Sequence, residues 1–132
     1  MERTYIMLKP DAVKRGLMGE IISRIENKAF KITNMKMMIL NEEIIKEHYA
    51  HLTDKPFFPE IVEYMTSGPV LAMIVEGNDV VQGMRNIMGA TKWLEAAAGT
   101  IRGDYANSTT ENLIHGSDSV ENAEIEIKRF FN

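Results

Sequence analysis

Near its C-terminal end the chain reads Asn112-Leu113-Ile114-His115-Gly116-Ser117-Asp118-Ser119. A short apolar run delivers His115 to its end, and Gly116 removes side-chain bulk beside the imidazole. Ser117, Asp118 and Ser119 then open a helix, whose free N–H groups and dipole favour phosphate. Imidazole is nucleophilic at neutral pH, and a covalent histidine intermediate divides one hard group transfer into two easier ones. Glu126, one to two turns into the helix, is placed to fold back and orient the ring. The same pattern also suits a buried, hydrogen-bonded histidine with a structural role only.

Other residues could serve the same chemistry. In Gly99-Thr100-Ile101-Arg102-Gly103-Asp104-Tyr105-Ala106, Arg102 stands between two glycines, so its fork can approach a polyphosphate; pairing with Asp104 is the alternative. Lys9 ends the first apolar run, as a phosphate-contacting cation or as a turn residue before Pro10. Arg85 and Thr91 carry no local signal of their own. His48 to Phe58 sets Tyr49, Phe57 and Phe58 around Thr53-Asp54-Lys55-Pro56. Aromatic faces there could stack on a base of any identity, or the Phe-Phe pair could belong to the core. His48 and His51 lie three apart on a predicted helix, but no third metal ligand accompanies them, and a solvated or packing role is expected. Neither GxxxxGK[ST] nor GxGxxG occurs, so any phosphate chemistry uses a different cradle.

Strands and helices must bring these residues together. Arg3 to Leu8 reads as a buried strand closed by Lys9-Pro10, and Leu17, Ile21, Ile22 and Ile25 recur at helical spacing. Lys31 to Leu40 reads as a second strand. Asn41 caps a helix expected to reach about Leu52. Pro59 fits a first helical position, with Ile61, Val62 and Met65 following. Val70 to Val75 is the best candidate for a central strand. Asn78 is placed to cap the next helix, with Gly89 beyond its end. From Gly89 to Glu111 the periodicity fails, and a long irregular stretch in a compact domain is often functional. Asn112 to His115 reads as a short strand. Asp118 and Glu121 resemble a capping box for a last helix carrying Ile125, Ile127 and Phe130. The order predicts an α/β (α+β) domain, an antiparallel sheet of about four strands covered by helices in a split β-α-β arrangement.

The 132 residues fit one domain, 1–132, and 45% hydrophobic content suffices for a core without disulfides or a structural metal. With no cysteine, thiolate catalysis and cysteine-ligated zinc are excluded. The net charge of −4, with no basic stripe, argues against a nucleic-acid partner. No segment approaches the ~18 apolar residues of a membrane span. Met1-Glu2-Arg3-Thr4 leads straight into a strand, so no signal peptide and a cytoplasmic location are expected.

With these residues assembled, the sequence resembles the nucleoside diphosphate kinases from Glu2 to Phe131. The matching runs are Tyr5 to Gly16, His48 to Phe58, Glu63 to Val70, Gly99 to Ala106 and Asn112 to Ser119. The resemblance implies a ferredoxin-like sandwich and ping-pong transfer of the terminal phosphate of a nucleoside triphosphate to a diphosphate, with broad base and sugar tolerance. It implies that His115 attacks through Nδ1, with Ser117 and Glu126 positioning it. Lys9 would contact the transferred phosphate beside Asn112 and near Tyr49, while Arg85, Thr91 and Arg102 hold other phosphate oxygens. Phe57 would stack on the base with Ile61 close by. Mg2+ would arrive on the nucleotide phosphates. A homo-oligomer is implied, usually a hexamer and sometimes a tetramer. The chain departs from the family pattern at Trp93 and Ala98, where prolines are usual, at Glu111, where arginine is common, and in stopping at Asn132 without the longer tail of some members. Two fewer prolines predict a more mobile free loop. A non-catalytic ferredoxin-like module that binds nucleotides without becoming phosphorylated is the competing expectation.

Overall fold

Strand β1 (Glu2–Leu8) sets the plan of the molecule. In the computed structural model, which describes residues 1–132, Tyr5 and Met7 of this strand enter one core while Ile6 and Leu8 enter another. That division follows from the period-2 alternation of strand side chains. β1 pairs antiparallel with β3 (Val70–Gly77) on one side and with the three-residue β4 (Ile114–Gly116) on the other. β2 (Lys31–Met38) adds to the far side of β3, giving the order β2-β3-β1-β4. Met7 lies opposite both Ala72 and His115. The strand that ends at Lys9 therefore runs beside the strand that carries His115.

Helices α2 (Met18–Asn27) and α5 (Val80–Met88) cover one face, where Ile21, Ile25, Val80 and Met84 pack with Ile6, Leu8, Met73 and Val75. On the other face α3 (Glu42–His48), α4 (Phe58–Met65) and α7 (Val120–Phe130) bring Ile45, Phe58, Met65, Ile127 and Phe130 onto Tyr5, Met7 and Ile74. Each such burial stabilises by about 1.5–3 kcal/mol relative to exposure. The succession β1-α2-β2-β3-α5-β4 is the ferredoxin-like arrangement predicted. No helix is long and apolar enough to cross a membrane.

Several local expectations are corrected. Pro10 ends β1 but also starts a short helix, α1 (Pro10–Lys14), because proline's fixed φ and missing donor suit a first helical turn. The stretch read as irregular holds a 3₁₀ turn at Trp93–Glu95 and helix α6 (Ile101–Tyr105), whose cap Thr100 accepts from the Gly103 N–H at 3.0 Å. Helix α3 stops at His48 and yields to a 3₁₀ turn at Ala50–Leu52. Asn78 is not a cap: α5 starts from Asp79, in the left-handed region at φ 50° and with no side-chain cap. Ser119, not Asp118, caps α7, accepting from the Asn122 N–H at 3.1 Å. Ile125 faces outward, and Ala123 takes the expected place in the core. β4 begins two residues late because Leu113, at φ 77°, leaves extended geometry.

Two ties hold the helices that reach the site. Phe30 wedges between Gly77 and Gly83, where an added Cβ at either glycine would stand 2.5 Å from its ring. That contact fixes how closely α5 approaches β3. Arg24 of α2 reaches the stretch from Gly89 to Glu111, pairing with Asp104 at 2.8 Å and donating to the Gly99 carbonyl at 3.3 Å.

Candidate active site

His115 is built into the sheet edge by groups from distant parts of the chain. Its strand is too short to fix itself. The Lys9 N–H donates to the Leu113 carbonyl at 2.8 Å and the Ser117 N–H to the Tyr5 carbonyl at 3.1 Å. Arg102 adds three donations from its guanidinium, to the carbonyls of Gly89 at 3.0 Å, Asn112 at 3.4 Å and Ile114 at 2.6 Å. Asp104 is not its partner, being held by Arg24. A guanidinium carries five N–H donors, so two remain for a ligand.

One carboxylate organises the histidine. Glu126 Oε1 lies 2.8 Å from His115 Nε2 and accepts from the buried Ser117 hydroxyl at 2.6 Å. Burial pushes the Glu126 carboxyl up, but the hydrogen bond and charge of His115, with help from Ser117 and His48, hold it below the ordinary range. A carboxylate can only accept, so Nε2 carries the proton and Nδ1 keeps its lone pair. Nδ1 has no partner within the chain.

The imidazole lies on the wall of a cleft of about 630 Å³ that also receives Lys9, Tyr49, Arg85, Thr91, Arg102 and Asn112. Lys9 Nζ donates to Asn112 Oδ1 at 2.8 Å. Burial and the neighbouring Arg102 lower the Lys9 ammonium to about 8, with Asp11 opposing them. Burial and Arg85 lower the Arg102 guanidinium to about 10. Lys9 and Arg102 are thus each depressed by a neighbouring cation in a confined space, and a polyanion would relieve them. The cleft's only carboxylates are Glu126, already engaged, and Asp118, which accepts from Asn122 at 2.6 Å. Those oxygens alone do not make an all-protein magnesium cage.

A second cavity of about 290 Å³ shares Lys9, Tyr49, Thr91 and Asn112 with the cleft and continues to Phe57 and Ile61. The Phe-Phe pair is split between the two expectations for it. Phe58 is buried in the core, whereas Phe57 is 44% exposed at the cavity.

All of the predicted site residues therefore meet on one side of the molecule: Ser117 lies behind the histidine and the rest line the two cavities. Comparison with known proteins gives this geometry a family. The model of the nucleoside diphosphate kinase family matches residues 2–132. The chain belongs to that family. A nucleoside diphosphate kinase of Exiguobacterium sibiricum is 58% identical over 99% of this chain and 95% of its own length. Another, from Acetivibrio thermocellus, is 55% identical over 99% of this chain and 96% of its own. Among solved structures, the apo nucleoside diphosphate kinase of Encephalitozoon cuniculi superposes with a TM-score of 0.95 at 52% identity, covering 98% of this chain and 88% of that one. The Halobacterium salinarum nucleoside diphosphate kinase in complex with CDP gives 0.95 at 51% identity, over 99% and 88%. The chain is accordingly a nucleotide phosphotransferase.

Within this kinase fold the sequence reading missed neighbours of the histidine. His48 does not pair with His51; its ring stands 4.6 Å from that of His115 at 80°. Atoms of His48, His115 and Glu126 able to bind a metal lie within 4.8 Å of one another. Asn122 and Arg129 also reach the cleft. The signal was present in α7: residues 122, 126 and 129 fall at i, i+4 and i+7, one polar face of the helix.

Proposed function

We propose that this kinase works by ping-pong transfer through a phosphohistidine at Nδ1 of His115, within a single catalytic unit spanning residues 1–132. The supporting observation is the pairing of His115 with Glu126, which leaves Nδ1 unprotonated beside Lys9, Arg85 and Arg102. In the first half-reaction the Nδ1 lone pair forms a bond to the γ-phosphorus while the bond to the bridging oxygen breaks. Its electrons leave on the diphosphate product. In the second, a terminal oxygen of another nucleoside diphosphate attacks the same phosphorus and the N–P electrons return to Nδ1. Phosphoryl transfer depends on alignment and neutralised charge more than on covalent help.

Lys9, Tyr49 and Asn112 take the transferred phosphate in this reading, and Arg85, Thr91 and Arg102 the others. Phe57 stacks on the base beside Ile61, which favours affinity without selecting a base; broad base and sugar tolerance follows. Mg2+ bound to the phosphates would neutralise part of their charge. Self-association, as a hexamer or tetramer in the cytoplasm, belongs to the same reading: edge strand β2 exposes Met35 and Met37, with Ile39 just beyond. Light scattering measures it.

The decisive experiment mixes the protein with ATP labelled at its γ-phosphate and chases with GDP. Acid-labile, base-stable label should appear on the wild type, pass to GDP, and be absent from His115→Ala. ATP binding without any label would leave only a nucleotide-binding module.

A further inference from the structure

His48 and Arg129 have no role in the transfer as described, yet they form the wall behind the nucleophile. Arg129 Nη1 lies 2.8 Å from Nδ1 of His48. A guanidinium is always charged and has only donors, so the Nδ1 lone pair of His48 must accept. The ring is then neutral and carries its proton on Nε2. Nε2 makes no hydrogen bond within the chain and is not among the buried unpartnered atoms, so it opens on the cleft that His48 lines. Arg129 stands on the helix that supplies Glu126, 13% exposed in its side chain, its buried Nε without a hydrogen-bond partner but 3.5 Å from a Glu47 carboxylate oxygen.

We propose that Arg129 is a positioning residue for phosphoryl transfer, holding His48 as the neutral Nε2–H tautomer edge to face against His115. This rests on the phosphohistidine reading. When Nδ1 of His115 attacks phosphorus while Nε2 keeps its proton, the ring becomes positive. Glu126 balances that charge. A second imidazolium 4.6 Å away would oppose it, because like charges in a confined site are barely screened. Burial does most to keep His48 neutral, and Arg129 adds to it by occupying the Nδ1 lone pair with a positive donor. The other groups around His48 act in both directions: Tyr5, Tyr49 and Phe130 close off water, His115 and Lys9 also disfavour its charging, and Glu126 favours it. A neutral His48 also offers its Nε2–H to a phosphoryl oxygen arriving at His115.

Arg129→Met tests this by single-turnover phosphorylation at saturating ATP across pH 5–8, with imidazole ¹⁵N NMR of the same samples. In the wild type His48 should show one tautomer, and the wild-type rate profile serves as the reference. In R129M the tautomers should mix, and an inflection absent from the wild-type profile should appear as His48 charges. Relative to wild type at the same pH, the rate should fall about threefold at pH 8 and further toward pH 5.5, with KM for ATP unmoved. Arg129→Lys, which keeps a cationic donor, should restore the wild-type profile, and thermal melts should show both variants folded. In a His48→Gln background, R129M should add no inflection. An unchanged tautomer and pH profile in R129M would overturn the proposal while leaving the phosphohistidine intact. A wild type that never takes label would overturn both.

Discussion

Replacing Glu126 by glutamine isolates the group that decides which nitrogen of His115 is free. The carboxylate accepts from Nε2 at 2.8 Å and from Ser117 at 2.6 Å through a single oxygen. Glutamine keeps the shape but loses the charge, and its amide can present either an acceptor or a donor to Nε2. If the donor faces the ring, the proton moves to Nδ1 and the nucleophile is lost. If the acceptor faces it, a charge-assisted hydrogen bond becomes a neutral one just as the ring turns positive. Hydrogen bonds to charged groups contribute about 1.5–3 kcal/mol against about 0.5–1.5 for neutral pairs. With Glu126 mostly buried, its side chain 14% exposed, the larger figures apply. A barrier raised by their difference, about 1.5 kcal/mol, slows phosphorylation roughly tenfold. Rapid-quench measurement with γ-labelled ATP reads that step directly, and the affinity for ATP should hold because Glu126 contacts no phosphate in the proposed pose. Ser117→Ala, which removes only the hydroxyl sharing the carboxylate, should fall between wild type and Glu126→Gln. A Glu126→Gln enzyme phosphorylated within threefold of the wild-type rate would refute the tautomer argument.

Three other outcomes follow from the geometry. Lys9, lowered to about 8, is charged below that pH and neutral above it, so kcat/KM for nucleotide should fall as pH rises through about 8, with the inflection lost in Lys9→Met. The unfolded chain binds the extra proton between about 8 and 10.5, so this group's contribution to stability rises with pH over the same window. Phe57→Ala should weaken nucleotide binding by about 1–3 kcal/mol in calorimetry while leaving the thermal midpoint nearly unchanged, since Phe57 is 44% exposed; a collapsed fold would place it in the core instead. Glu111 shares a small cavity with Asp11, which bonds the Tyr64 hydroxyl but whose buried Oδ2 lacks a partner. Glu111→Arg should supply one and stabilise by about 1 kcal/mol, shifting the midpoint up by about 3–5 °C in scanning calorimetry.

What the sequence made legible was whatever local pattern determines. β1 and β3 announced themselves as closed apolar runs, and α5 by its periodicity ending at Gly89. The motif runs brought His115, Lys9 and Arg102 forward together. What stayed hidden depends on long-range context. Pro10 could end a strand or start a helix, and only the packing of α1 shows that it does both. Asn78, Asp79, Asp118 and Ser119 are all plausible caps, and backbone direction at one residue chooses among them. Arg102 invited a choice between phosphate and Asp104, but Arg24, 78 positions away in sequence, had already claimed Asp104. His48 looked solvated because the residues enclosing it come from β1, β4 and α7, far along the chain.

The wedge of Phe30 between Gly77 and Gly83 constrains the paths by which this chain can diverge. A methyl group added at either glycine meets the ring at 2.5 Å, and the strain would pass along α5 toward Arg85. Trimming the phenylalanine first leaves a void, itself unfavourable, but one that a later methyl at 77 or 83 can occupy. The three positions are therefore historically contingent on one another, and the sequence of replacements, as much as their identity, decides which descendants still fold.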